Sequence, residues 1–176
     1  MKSDFKQKIK SAFYKDFFLR TKNEIEDSDD QPNSVLTKIY TDILYDNGTI
    51  SDYELTHFEK EISKDTNIKI SAYSFSEDDL RLDLFITHYD SANEIKKIES
   101  KKILELIESA KNFYLQSTKK LYEKMNSKED AFDISKDIFK NSKDISTVRI
   151  FVLTNCECDT TPKTTRESGV EFQNYL

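Results

Sequence analysis

Residues 68–89, IKISAYSFSEDDLRLDLFITHY, alternate apolar and polar side chains on both sides of an acidic turn. The alternation runs through residues 68–73 and returns at residues 80–89. Successive side chains of a β-strand point to opposite faces, so a period of two is typical of strands. The segment therefore predicts an antiparallel β-hairpin that turns at residues 76–79.

The chain after the hairpin predicts two helices and a strand. Apolar residues at helical spacing form one stripe over residues 94–125, and a shorter helix is predicted for residues 128–140. A run rich in β-branched residues then predicts a buried central strand over residues 146–154. These elements indicate an α/β fold of the α+β type, in which a mixed central sheet is flanked by helices.

The two ends of the chain carry weaker patterns. Apolar residues at intervals of three and four predict a first helix to about Ile25 and a second helix that stops at Asn47-Gly48. Residues 50–64 are ambiguous, and we favour a helix there over an irregular connection. Residues 170–172 are interpreted as an edge strand.

Length and composition bound the class of protein. A chain of 176 residues is the size of one domain, and 12 Phe and 9 Tyr supply a core despite a mean hydropathy of -0.71. We expect one domain with a helical part (3–64), a part with sheet and helices (65–155) and a tail (156–176). The chain has two glycines, which excludes a glycine-rich phosphate-binding loop.

Charge and hydropathy indicate which kinds of partner the chain can bind. With a net charge of -6 the chain lacks the positive footprint that phosphate binding usually requires, so nucleic acid stays open as a partner but the net charge does not support it. No apolar run approaches the roughly 18 residues of a membrane span. We therefore predict a cytoplasmic protein without membrane contact.

The two cysteines, Cys156 and Cys158, fit a reducing compartment because they are too few for a disulfide scaffold. They are half of a zinc site at most, since zinc takes about four ligands and both His57 and His88 are distant in sequence. We favour ordinary thiols at the end of a strand. A Cys nucleophile with a His base is the alternative.

Residues 70–87 resemble a signature of the abortive-infection phage-resistance (AIPR) family. In that family a strand of the type hydrophobic-Asp-Gly-Tyr precedes an acidic turn and a Leu-Asp-Leu-Phe strand, and residues 70–73 and 82–85 occupy these places here. The resemblance extends over about residues 65–155. It implies a fold related to restriction-endonuclease-like nucleases, in a bacterial protein that limits phage infection. Family members are usually much longer, which implies that this chain is an N-terminal fragment or a shortened member.

The resemblance places the nuclease positions on residues that do not hold a metal. A nuclease of that fold uses an Asp on one strand and a Glu- or Gln-x-Lys pair on the next, so that carboxylates hold Mg²⁺. Ser71 occupies the Asp position, and Ile86 and His88 match the Gln-x-Lys positions. Ile86 cannot ligate a metal, whereas His88 can act as a base. The resemblance therefore implies a degenerate site without a cofactor, with Ser71 and His88 as catalytic candidates.

An alternative metal site centres on Asp83. In this interpretation Asp83, helped by Glu77, Asp78 or Asp79, holds Mg²⁺ and supports catalysis. Arg81 lies two residues away on the same strand face, and a cation beside a carboxylate opposes the binding of another cation. We therefore favour an Arg81–Asp83 ion pair on a solvated face, and an ordinary turn at residues 76–79.

Three functions follow for the chain. The first is a catalytically degenerate domain of a phage-defence protein that acts in sensing or protein interaction. The second is a metal-dependent nuclease that uses Asp83, and the third is a small acidic interaction protein unrelated to defence. A protein partner or self-association is expected, because Phe17, Phe18 and Leu19 together are wider than one helical face.

Overall fold

A computed structural model describes residues 2–64, 66–76, 80–159 and 163–176, with side chains from Tyr14 onward. The helices in these residues are α1 (Lys2–Glu26), α2 (Pro32–Asp46), α3 (Ser100–Ser117) and α4 (Phe132–Asn141), with a 3₁₀ helix at Leu121–Lys124. The strands are β1 (Glu54–Ser63), β2 (Thr66–Phe75), β3 (Arg81–His88), β4 (Thr147–Thr154), β5 (Thr165–Glu167) and β6 (Val170–Tyr175).

The six strands form one mixed sheet in the order β1-β2-β3-β4-β6-β5. β1, β2 and β3 are antiparallel neighbours, β4 runs parallel to both β3 and β6, and β5 closes the far edge antiparallel to β6. The predicted hairpin and the predicted central strand are therefore confirmed, and so is the α+β class. The crossover from β3 to β4 passes through α3 and α4, as a parallel connection requires.

Helices cover both faces of the central strands. Leu84 and Ile86 of β3 belong to the larger core, which α3 and α4 complete on one face. Phe85, between them, belongs to a smaller core on the opposite face, where it packs beside residues of α2. Burial of a side chain of this size is worth about 1.5–3 kcal/mol, so the centre of β3 is held from both sides.

The prediction of a helix at residues 50–64 is wrong, because β1 lies there. Its buried Thr56 and Phe58 alternate with exposed His57 and Glu59, which is the period of a strand. The Phe58 ring packs against Phe113 of α3 at a centroid distance of 6.0 Å. β1 is thus an edge strand with one face on the larger core.

Residues 170–172 form a strand, as predicted, but the prediction that this strand lies at the edge of the sheet is wrong. β6 extends over Val170–Tyr175 and lies between β4 and β5, with Phe172 fully buried. The strand β5 takes the edge instead.

The long predicted helix at residues 94–125 is shorter at both ends. Lys97 forms a parallel bridge with Glu157 before the helix begins. Lys120 adopts a left-handed backbone with φ of 62°, which ends the helical run ahead of the 3₁₀ turn. α3 nevertheless covers the β2–β3 hairpin, as its apolar stripe predicts.

Candidate functional site

Asp83 is fully buried and its carboxylate is bound by an arginine from the neighbouring strand. Parallel pairing of β3 and β4 places Asp83 directly beside Arg149. Arg149 donates from Nε to Oδ1 at 2.6 Å and from Nη2 to Oδ2 at 2.5 Å, which is the two-pronged geometry that guanidinium and carboxylate favour. Both carboxylate oxygens are thereby engaged.

The arginine of this pair is held by further contacts. Arg149 also donates to the Thr49 carbonyl at 2.9 Å, and its guanidinium lies 5.2 Å from the centroid of the Phe151 ring. Burial lowers the pKa of Arg149, but its hydrogen bond to Asp83 and the Asp83 charge outweigh burial, so the pKa is raised. The Arg149 guanidinium therefore keeps its positive charge.

The predicted Arg81–Asp83 contact exists in a weaker form than the sequence suggests. Arg81 Nε lies 3.4 Å from Asp83 Oδ1, beyond the tighter contacts of Arg149. The expectation of a solvated face is wrong, because Asp83 is 0% exposed. The reason is that β3 is an inner strand whose two faces both carry helices.

Ser71 lies in β2 with 3% of its surface exposed. Its Oγ accepts a hydrogen bond from the Thr87 backbone N–H at 3.0 Å. The β1–β2 register pairs Leu55 with Ala72 and Phe58 with Ile70, so Thr56 and His57 both stand opposite Ser71. This irregularity is a β-bulge, a feature that redirects side chains at the edges of sheets.

An open cleft of about 350 Å³ borders Ser71. The first turn of α2 forms one wall through Gln31, Asn33 and Ser34. β1 and β2 form the other wall, with the polar side chains of His57, Glu59 and Lys69. Lys69 Nζ contacts Glu59 at 3.0 Å. The cleft therefore joins a buried hydroxyl, an ion pair, an imidazole and a helix N-terminus.

His88, the last residue of β3, is half-buried. Burial lowers its pKa, the nearby Lys102 lowers it further, and Asp90 opposes both. The residues that border the cleft include Ser71 but neither His88 nor Asp83. The structure thus places the three catalytic candidates in different surroundings.

The acidic residues Glu77, Asp78 and Asp79, which the sequence suggested as helpers of Asp83, lie outside the described residues. In the part of the chain that the structure describes, no three His, Cys, Asp or Glu side chains group closely enough to hold a metal ion.

The cysteines lie at the carboxyl end of β4. Cys156 is buried and Cys158 is partly buried, and both are free thiols. Burial raises the pKa of the Cys156 thiol, which disfavours the thiolate that a nucleophile requires.

Lys69 and His57 are the cleft residues that the sequence argument missed. Lys69 is separated from Ser71 by one residue on the same strand, so the period of two indicated that the pair shares a face. His57 gave no such signal, because the bulge in the β1–β2 register brings it opposite Ser71.

These features define an α+β domain with a mixed sheet and a polar cleft beside a β-bulge. Residues 36–174 match the family model described as the abortive infection phage resistance protein N-terminal domain. The match covers more than half of the chain, and the chain belongs to this family. Comparisons with curated proteins and with solved structures gave no significant match. The relation to restriction-endonuclease-like folds remains a prediction. No helix among the described residues is long and apolar enough to span a membrane.

Proposed function

We propose that the chain is the N-terminal domain of a bacterial abortive-infection protein, and that it acts in sensing or protein interaction without cutting nucleic acid. Family membership supports the role in phage defence. The observation that carries the non-cleaving part is the Asp83 carboxylate, which is 0% exposed and has both oxygens bound by Arg149.

A metal would have to displace that arginine. Mg²⁺ takes oxygen ligands in near-ideal octahedral geometry and keeps several water molecules, so it needs a carboxylate that faces solvent. Release of Asp83 would leave the Arg149 charge, on a side chain 13% exposed, without its partner. The loss of a buried partner costs about 3–5 kcal/mol, which opposes metal entry.

The serine at position 71 supports the same proposal. A hydroxyl is a poor ligand for Mg²⁺ compared with a carboxylate, and the Ser71 oxygen already accepts the Thr87 N–H. Neither Ser71 nor Asp83 therefore offers a free carboxylate to a metal ion in the described structure.

The test is incubation of the purified chain with DNA and RNA in Mg²⁺ and in Mn²⁺, followed by gel analysis. The expected result is no metal-dependent cleavage beyond a mock purification. The proposal fails if the wild-type chain cleaves either substrate and an Asp83→Asn variant, shown to be folded by circular dichroism, does not. Asp137→Asn, an exposed carboxylate variant, is the matched control.

The surface that we propose for protein interaction lies on α1. Phe18 is buried and Phe17 packs on Tyr40 at 5.0 Å between ring centroids, whereas Leu19 is 49% exposed. Leu19 is thus the residue of this trio that remains available to a partner. If the chain self-associates through α1, Leu19→Lys reduces the weight-average mass in sedimentation. An unchanged mass would reject α1 as the contact.

A further inference from the structure

The cleft beside Ser71 presents donors that its own residues do not use. Ser71 is almost fully buried and borders the cleft, and its oxygen accepts one hydrogen bond from Thr87. Among the described residues, the Ser71 hydroxyl proton has no acceptor. A buried donor that lacks an acceptor is unfavourable, so a ligand that accepts a hydrogen bond from it is stabilised.

The helix wall of the cleft adds a second source of positive potential. α2 begins at Pro32, and Gln31, its N-cap residue, makes no side-chain hydrogen bond to the helix. The N-terminus of a 15-residue helix carries a partial positive charge and favours anions. The first turn at Asn33 and Ser34 borders the same cleft as Ser71.

Lys69 supplies a full positive charge on the strand wall. Its side chain is 25% exposed, and its present partner Glu59 is 56% exposed. An ion pair with so exposed a carboxylate contributes little free energy, so Lys69 can exchange Glu59 for a stronger anionic partner.

The size and charge of the surroundings favour a small anion over a polymer. A cleft of about 350 Å³ is near the lower end of the roughly 300–1,000 Å³ that small-molecule sites occupy. A nucleic-acid chain needs an extended basic surface, whereas this chain has a net charge of -6.

We infer that the cleft formed by Ser71, Lys69, His57 and the first turn of α2 binds the phosphate group of a small phosphate monoester without a metal. The inference rests on the proposed non-cleaving function, since it assigns a binding role to the cleft. Lys69 provides the charge, Ser71 donates its hydroxyl proton, and Glu59 competes with the ligand for Lys69.

The test is a titration of the whole chain with inorganic phosphate and with adenosine monophosphate in EDTA, followed by amide chemical shifts. Adenosine without phosphate is the ligand control. Lys69→Gln and Ser71→Ala weaken binding, with Lys69→Gln expected to do so about tenfold or more. Glu59→Gln tightens it severalfold, because the competing carboxylate is gone. Lys140→Gln, which breaks an ion pair at Asp137, is the matched lysine control and leaves binding unchanged.

Lys69→Gln and Glu59→Gln are expected to change the phosphate affinity in opposite directions, which distinguishes loss of the site from simple unfolding. A misfolded variant loses binding, so the gain in Glu59→Gln identifies the site. The inference is overturned if phosphate shifts no amides around Ser71, if Lys140→Gln weakens binding as much as Lys69→Gln, or if an oligonucleotide without a terminal phosphate binds more tightly than adenosine monophosphate. Since EDTA removes any metal, these failures are distinct from metal-dependent cleavage, which would reject the proposed function.

Discussion

The Asp83–Arg149 pair and the Ser71 cleft are both polar, yet they place their charges in opposite situations. Asp83 is fully buried between layers of helices, and a two-pronged arginine satisfies it. The cleft leaves Lys69 beside an exposed carboxylate and leaves the Ser71 hydroxyl proton unused within the described residues. The buried pair thus joins β3 to β4 with both carboxylate oxygens engaged, whereas the exposed Lys69–Glu59 contact leaves the lysine able to exchange its partner.

Breaking the buried Asp83–Arg149 pair should cost the most stability. Asp83→Ala leaves the Arg149 charge without a partner and lowers the free energy of unfolding by about 3–5 kcal/mol. Urea denaturation measures this free energy. Replacement of both residues, Asp83→Leu with Arg149→Met, should recover most of the lost stability, because no unpaired charge remains. A double variant as unstable as Asp83→Ala would contradict the explanation that the unpaired Arg149 charge causes the instability.

The next effect concerns the hydroxyl that joins the two strands at the cleft. Ser71→Ala removes the acceptor of the buried Thr87 N–H and lowers the free energy of unfolding by about 1–3 kcal/mol. Ser109→Ala, at a partly exposed serine of α3 that bonds within its own helix, is the control and costs less. Equal losses would mean that the Ser71–Thr87 contact adds no stability.

Mild acid should lower the stability of the fold through its two histidines, His57 and His88. Burial lowers the pKa of His57, with Lys69 lowering it and Asp130 raising it, and burial together with Lys102 lowers the pKa of His88 against Asp90. The folded state then holds fewer protons than the unfolded state, so stability falls as the pH drops through the ordinary histidine value of 6.5.

The measurement is the unfolding midpoint in urea from neutral to mildly acidic pH. The double variant His57→Gln, His88→Gln should flatten the profile over this window. A wild-type midpoint that rises on acidification through this range would contradict the predicted direction of the pH dependence.

The smallest effect on stability is expected at the exposed ion pair. Lys69→Gln should change the free energy of unfolding by less than about 1 kcal/mol, because the Glu59 partner is solvated. The same variant is expected to lose phosphate affinity, so stability and binding separate at this residue. A destabilisation as large as that of Asp83→Ala would erase the difference between the two regions.

The sequence was informative where local pattern decides structure. Period-two alternation predicted β2 and β3, and the apolar stripe predicted α3 across them. It failed at β1, because the spacing of Tyr53, Phe58 and Ile62 also fits a helix, whereas pairing with β2 and packing on Phe113 stabilise a strand. β6 is an inner strand because it pairs with β5, and no local sequence pattern predicts this pairing.

The candidate site was harder to predict for the same reason. Asp83 and Arg149 are 66 residues apart, and they meet only because β3 and β4 are parallel and in register. Arg81 was the visible partner in sequence, and it makes the longer contact. Ser71 was found through the family resemblance, whereas His57 joined it through a bulge that the sequence does not mark.

Binding of Mn²⁺ shows whether the Asp83 carboxylate is open to a metal ion, because Mn²⁺ broadens the NMR signals of nearby amides. Ser74 of β2 pairs with Asp83, and Arg149 of β4 pairs with it from the other side. Titration of the labelled chain should leave the amide signals of Ser74, Asp83 and Arg149 sharp, since the guanidinium occupies the Asp83 carboxylate. Selective broadening of these three signals at low Mn²⁺, lost in a folded Asp83→Asn variant, would contradict the account.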